Sequence, residues 1–388
     1  MKKLLSFIAL SMFIIPFVGI GGFAVALLVP AMSGVALSGL IPVVQAQSLF
    51  TSKVIKVYKE QIAVSGFLKS FFTPTESFTK YVSIAVKRGF EKVAVDVNRF
   101  SDGNRNTFST ETQKDFLPPF YDEYLTANEH KLYDTVIAMS TTGNSTFFAQ
   151  LAMELGVNVM EMQKKIERAI EVQCAQIFET GVVTLVNGTD IDFKRQANSI
   201  VAYNVANDFS VGTVSPFNVL QSGCEFIRKE GKFNGGTFNA ILGSEALGAL
   251  LENTKVRERG DVKDFTLDTV HEPQRNAEGA TMHGILSCGS YKVRLWAYPQ
   301  YYTNAAGVQT PYINPKKVTL LPDVTNFDLA YAAVPQLINE NGGIAQKGAY
   351  LVQDFRDEKA GAHEIHVKSA PLPIPTAIDT IYTVQVLS

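Results

Sequence analysis

Between Lys3 and Lys53 the chain carries no charged residue, and along its whole length it offers little that catalysis could use. Its three cysteines, Cys174, Cys224 and Cys288, are odd in number and far apart. That spacing excludes a disulfide framework or a paired Cys-x-x-Cys metal site, and suits reduced, buried thiols in a cytosolic product. A net charge of -2 leaves no basic excess for neutralising nucleic-acid phosphates, so direct, sequence-specific DNA binding is disfavoured. No glycine-rich loop ends in Gly-Lys-Ser/Thr, and there is neither a dinucleotide glycine fingerprint nor a nucleophile elbow. Histidine is scarce: His363-Glu364-Ile365-His366, with His271 and His283 elsewhere, does not present the three or four converging ligands that zinc requires. The expectation is a chain that is not an enzyme, with no catalytic residues, no metal and no cofactor.

What is present is periodicity. At 388 residues, 46% hydrophobic and 19% charged, the chain is long enough for two domains. Val93, Val95 and Val97 alternate with Ala94, Asp96 and Asn98. A polar turn cluster, Ser101-Asp102-Gly103-Asn104-Arg105-Asn106, then leads into the β-compatible run Thr107–Thr112, which predicts a long hairpin. From Asn158 to Thr180 the apolar residues Val159, Met162, Ile166, Ile170, Cys174 and Ile177 recur at helical spacing. Lys164, Lys165, Glu167, Arg168 and Glu171 fall on the intervening polar positions, giving an amphipathic helix roughly 33 Å long. Asn158 with Glu161 offers capping chemistry, and Gly181 a stop. Val182–Val186 and Thr189–Phe193 flank Asn187-Gly188, a tight-hairpin signal. Asp190 and Asp192 share one face of that hairpin and read as a solvated strand surface rather than a working carboxylate pair. Beyond Ser215 the elements shorten. Ser215-Pro216 opens a helix ended by Gly231, and Ser244 caps another. Tyr291–Tyr298 and Lys317–Leu321 read as strands joined by a polar loop, Tyr302–Asn314, which together give a second α/β lobe.

At the end of the chain, Tyr382, Val384 and Val386 alternate with Thr383 and Gln385, the pattern of a half-buried strand. The lead-in Ser369-Ala370-Pro371-Leu372 to this final Val-Gln-Val-Leu resembles the close of the lambda-like major capsid proteins of tailed bacteriophages. The likeness is collinear from about Val54 to Ser388. Phe67-Leu68-Lys69-Ser70-Phe71-Phe72 with Ser77-Phe78-Thr79 is similar to the family's N-terminal arm, the hairpin region to its extended loop, the helix at 158–180 to its spine helix, and Leu321-Pro322-Asp323 to its Leu-Pro-Asp segment.

The resemblance implies an α+β chain with the Hong Kong 97-type capsid fold. Residues 54–86 would form the N-terminal arm, 87–125 the extended loop, 126–214 with 345–388 the peripheral domain, and 215–344 an axial domain inserted before the final strand returns. It further implies a shell subunit that assembles into hexamers and pentamers in the host cytoplasm and ends in the virion. Its partners would be a scaffolding protein, a portal and a decoration protein, with DNA enclosed rather than read. Phe67, Phe71 and Phe72 in the arm, and Asp102, Gly103, Asn104 and Arg105 at the loop tip, would then contact neighbouring subunits.

The apolar start, residues 1–53, stays open. Leu4–Val44 is long enough for a membrane helix of about 20 residues or a signal core of about 7 to 15, though Pro16, Pro30 and Pro42 interrupt it. Lys2-Lys3 and the small Ala46 imitate a secretion signal. The competing readings are a segment removed during shell maturation, an inter-subunit arm, or a true start at Met12 or Met32. Two other functions also compete: an encapsulin-like shell around cargo protein, and an exported or membrane-anchored binding protein.

Overall fold

The computed structural model describes residues 66–87, 111–128, 144–185, 190–260, 274–275, 279–335, 345–357 and 362–388. The apolar start, the alternating valines at 93–97, the loop tip and the Asn187-Gly188 turn lie outside them.

Helix α1, Asn144–Glu179, is the longest element, about 54 Å at 1.5 Å per residue. It begins at Asn144 rather than Asn158, so Asn158 sits inside it and caps nothing. The reason is local: Ala149, Gln150, Leu151, Met153 and Glu154 are strong helix formers, and the lone Gly156 costs only about 1 kcal/mol. The stop is where the sequence puts it. Gly181 adopts φ 75°, and its N–H reaches back to the Ile177 carbonyl at 3.0 Å, closing the last turn.

Two cores follow. In the first, Met162, Ile166, Ile170, Cys174, Ile177 and Phe178 of α1 are buried with a three-stranded sheet of Phe72–Glu76, Phe327–Tyr331 and Pro371–Ile374. Phe72 pairs with Phe327 in parallel register, and both rings pack on Phe178, at 5.5 Å from Phe72 and 6.2 Å from Phe327. A second three-stranded sheet, Leu351–Asp357, Ala362–Ser369 and Tyr121–Asn128, lies alongside α1, tied to it by Gln173 donating to the Tyr121 hydroxyl at 2.6 Å and by the Lys165–Glu123 ion pair.

The second core is built on a seven-stranded mixed sheet in the order Ile200–Val201, Tyr382–Gln385, Lys317–Pro322, Thr237–Leu242, Tyr291–Ala297, Thr281–Cys288 and Gln274–Arg275. Helix α2, Pro216–Lys229, starts with its proline in the first turn and buries Phe217, Leu220, Cys224 and Ile227 in this core. Helices α3, Ser244–Glu252, and α4, Thr254–Gly260, follow. Ser244 is the first helical residue of α3 and not its cap. That place belongs to Gly243, because a Cβ there would lie 2.3 Å from the Pro315 carbonyl oxygen. The Tyr302–Asn314 stretch is not a plain loop either: Tyr301–Thr303 pairs with Gln309–Pro311, with the Asn304 side chain accepting the N–H groups of Ala306 and Val308 across the turn.

The final strand departs from the half-buried reading. It is an inner strand of the seven-stranded sheet, and Tyr382, Thr383 and Val384 are all buried. Tyr382 and Val384 belong to the second core, while Thr383 on the opposite face is tolerated because its hydroxyl donates to the Phe178 carbonyl at 2.7 Å. The return to the first core is made by Pro371–Ile374 instead. The three cysteines are free and buried, and burial pushes the Cys224 and Cys288 thiols up to about 12.

The hairpin begins at Val82, earlier than the periodicity indicated. Val82–Lys87 pairs with Glu111–Phe116, Val82 opposite Phe116 and Lys87 opposite Glu111. The hairpin after α1 is a short ladder of Val182–Val183 with Ile191–Asp192. Its two acids are used locally: Asp190 accepts the Leu185 N–H at 3.1 Å, and Asp192 accepts the Lys194 N–H at 2.7 Å.

Candidate assembly site: arm, spine helix and their buried junction

The first described residues pass through a short 3-10 turn, Lys69–Phe71, into the edge strand Phe72–Glu76. Phe67, Leu68 and Phe72 are 3%, 0% and 4% exposed, so they are covered by their own chain. Phe67 packs on Trp296 and Tyr298, each at 5.4 Å, and Phe71 is partly buried with its edge to Phe178 at 6.0 Å. The segment Phe67–Phe72 is thus part of the first core. Asp102, Gly103, Asn104 and Arg105 lie outside the described residues. The large apolar side chains that do face solvent here are Phe78, Tyr81, Leu117, Phe120 and Tyr124. Thr73, Pro74, Thr75 and Glu76 are exposed as well, with Pro74 blunting the free edge of the sheet.

Glu171 is the residue that helical periodicity misplaces. Assigned to the polar side of α1, it has no solvent exposure at all. Its Oε1 accepts the Leu68 N–H and the Tyr298 O–H, each at 2.7 Å, and its Oε2 accepts the Lys69 N–H at 3.0 Å. Burial raises its pKa to about 7, although these donors and the nearby Lys69 charge favour the carboxylate. One signal for it was in the sequence: from Ile170 to Phe178 Glu171 is the only charged residue among apolar ones and two glutamines, and a lone charge on such a stretch needs partners if it is buried.

Arg195 had no such signal, since it follows Lys194 in a polar stretch. Its guanidinium donates to the Phe178 carbonyl at 2.8 Å, the Ser199 hydroxyl at 2.8 Å, the Ser199 and Ile381 carbonyls at 3.0 Å and the Thr383 hydroxyl at 2.9 Å. It therefore ties the C-terminal turn of α1, whose carbonyls have no partner within the helix, to the final strand. Burial lowers its pKa to about 9, partly offset by the Asp379 carboxylate. Glu179 makes a further link, accepting the Asn314 N–H and pairing with Lys317 at 3.5 Å.

Among the described residues no group of three or more His, Cys, Asp or Glu side chains is placed to hold an ion. His366 spends its Nδ1 on Asp122 at 2.9 Å, and its ring stacks on Tyr124 at 5.2 Å.

No curated protein sequence matches the chain. Among solved structures, a prophage capsid protein from E. coli CFT073 superposes with a TM-score of 0.56 at 16% identity, covering 88% of this chain and 98% of that one. A phage-related protein from Bordetella bronchiseptica RB50 gives 0.48 at 12% identity, covering 83% and 92%. An encapsulin from Synechococcus elongatus gives 0.41 at 11% identity, covering 83% and 87%. The fold is the Hong Kong 97-type capsid fold. The family model described as phage major capsid protein E matches residues 54–386, and the chain belongs to that family of shell-forming major capsid proteins.

Proposed function

We propose that the subunit closes into an icosahedral shell of hexamers and pentamers around the DNA of a tailed phage, acting by self-assembly and without catalysis. The observation that carries this reading is the isolated stem of the extended loop. Val82–Lys87 and Glu111–Phe116 pair with each other and, among the described residues, with no third strand. A two-stranded ribbon is marginal in water by itself. Its base is seated by Phe116 against Phe193 at 5.6 Å, and beyond that base a neighbouring subunit supplies the cover. The exposed Phe78, Tyr81, Leu117, Phe120 and Tyr124 flank the stem in sequence and would lie at the same contacts.

Within this reading the arm, loop, peripheral and axial domains keep the order given above. The pairing of Tyr382–Gln385 with Lys317–Leu320 favours counting the last strand with the axial domain. The core positions of Phe67 and Phe72 favour contacts made by Phe78 and Tyr81, and by the loop tip Asp102–Arg105, over contacts made by the arm's root. Scaffolding, portal and decoration proteins are the partners this role calls for, and DNA is enclosed without being read, in keeping with a net charge of -2. Among the described residues no helix is long and apolar enough to cross a membrane. Intact mass of purified particles decides the fate of residues 1–53.

The test is microscopy of the expressed chain, with scaffold where needed. Closed polyhedra containing nucleic acid support the reading, and cargo protein in its place favours an encapsulin-like shell. Deleting Ser101–Asn106 should leave a folded, soluble subunit that no longer closes shells. A native monomer, or normal shells from the deletion, overturns the assignment.

A further inference from the structure

Three parts of the chain, the arm root at Leu68–Lys69, helix α1 and Tyr298 just past the strand Tyr291–Ala297, meet on the buried carboxylate of Glu171. We infer that Glu171 is a proton-responsive latch that fastens the arm root to the helix, tightening when it takes a proton from solvent and loosening when it returns that proton.

The geometry serves both forms. Ionised, the carboxylate accepts from three donors and needs no donor of its own. Protonated, its new O–H can turn to the Tyr298 oxygen, so the 2.7 Å contact survives with donor and acceptor exchanged, while the two backbone N–H groups still face carboxyl oxygens. When the arm root detaches, Glu171 meets water and ionises with an ordinary carboxylate pKa of 4.5, against about 7 in the junction. The attached state therefore holds the proton more tightly. The attachment gains from protonation in full below 4.5 and loses that gain as pH rises through 7.

Other titratable groups face the junction: Lys69 approaches from the arm, Tyr298 and Tyr312 from beyond the helix, and Cys174 from α1 itself. Burial carries Tyr312 up to about 12 and raises Cys174 well above its usual range.

Hydrogen exchange of the Leu68 and Lys69 amides in the purified full-length chain, corrected for intrinsic rates, tests the latch between pH 5 and 8. Protection should fall by about 70-fold across that range, dropping by nearly tenfold per pH unit and levelling off near pH 7. Glu171→Gln should flatten the profile. Tyr298→Phe removes a donor to the anion and should move the levelling-off to higher pH. If Glu171→Gln does not fold, the wild-type and Tyr298→Phe profiles decide. A wild-type profile that is flat or rises with pH, a Glu171→Gln profile of unchanged slope, or a Tyr298→Phe profile that levels off at the wild-type pH overturns the proposal. The bearing of the latch on assembly rests on the shell reading, and the two fail separately: absent particles sink the shell, whereas an absent exchange profile sinks the latch.

Discussion

Replacing Arg195 by alanine should cost the isolated subunit about 3 kcal/mol, and the figure can be built from its partners. Five donor contacts disappear together. Three acceptors keep another partner, because the Thr383 hydroxyl still donates to the Phe178 carbonyl and the Ser199 hydroxyl still donates to Gln196. The Ile381 and Ser199 carbonyls lose this donor. At about 1–3 kcal/mol for each buried polar group stripped of its partner, the loss is about 2–6 kcal/mol. Against that stands relief from holding a guanidinium away from water, the same cost that lowers its pKa to about 9. Lysine should recover part of the loss, since an ammonium cannot span the helix end and the final strand as a planar fork does. Urea unfolding of the purified subunit measures this as a lowered midpoint at unchanged slope. A shift within about 0.5 kcal/mol of wild type would refute the claim that this side chain joins the helix to the last strand.

Phe178→Ala should be as damaging, about 3–5 kcal/mol by the same assay, because it empties the contact between Phe71, Phe72 and Phe327. Gly223→Ala tests sign as much as size. Helix propensity favours alanine by about 1 kcal/mol, but its Cβ would stand 2.4 Å from a Leu320 methyl and 2.7 Å from the Tyr382 ring, so a net loss of about 1–2 kcal/mol is expected in thermal melting. Tyr124→Ala, at an exposed ring, should change melting by less than about 1 kcal/mol while lowering the yield of closed particles. Equal yield would remove Tyr124 from the inter-subunit surface.

Much of this was legible from one dimension. The helical stripe from Val159 to Ile177, the stop at Gly181, the proline-led α2, and the strands at 291 and 317 follow from local periodicity and backbone preference, which act within a few residues. The same locality explains the errors. Helix formers without a regular apolar stripe extend a helix silently, so periodicity starts α1 too late, and alternation makes the final strand look half-buried because it cannot tell solvent from a second covering layer. Sequence by itself determined the main body of α1 and its end, the start of α2, and the strands at 291 and 317, because each is set by residues close in the chain. Only the tertiary structure decided that Glu171 is buried and that Arg195 is half-buried among acceptors. Glu171 meets its amide donors at positions 68 and 69, and Arg195 reaches residues 381 and 383, partners brought close by the packing of the two cores. A charge can leave water only where such partners converge, and convergence across that much chain is a property of the fold.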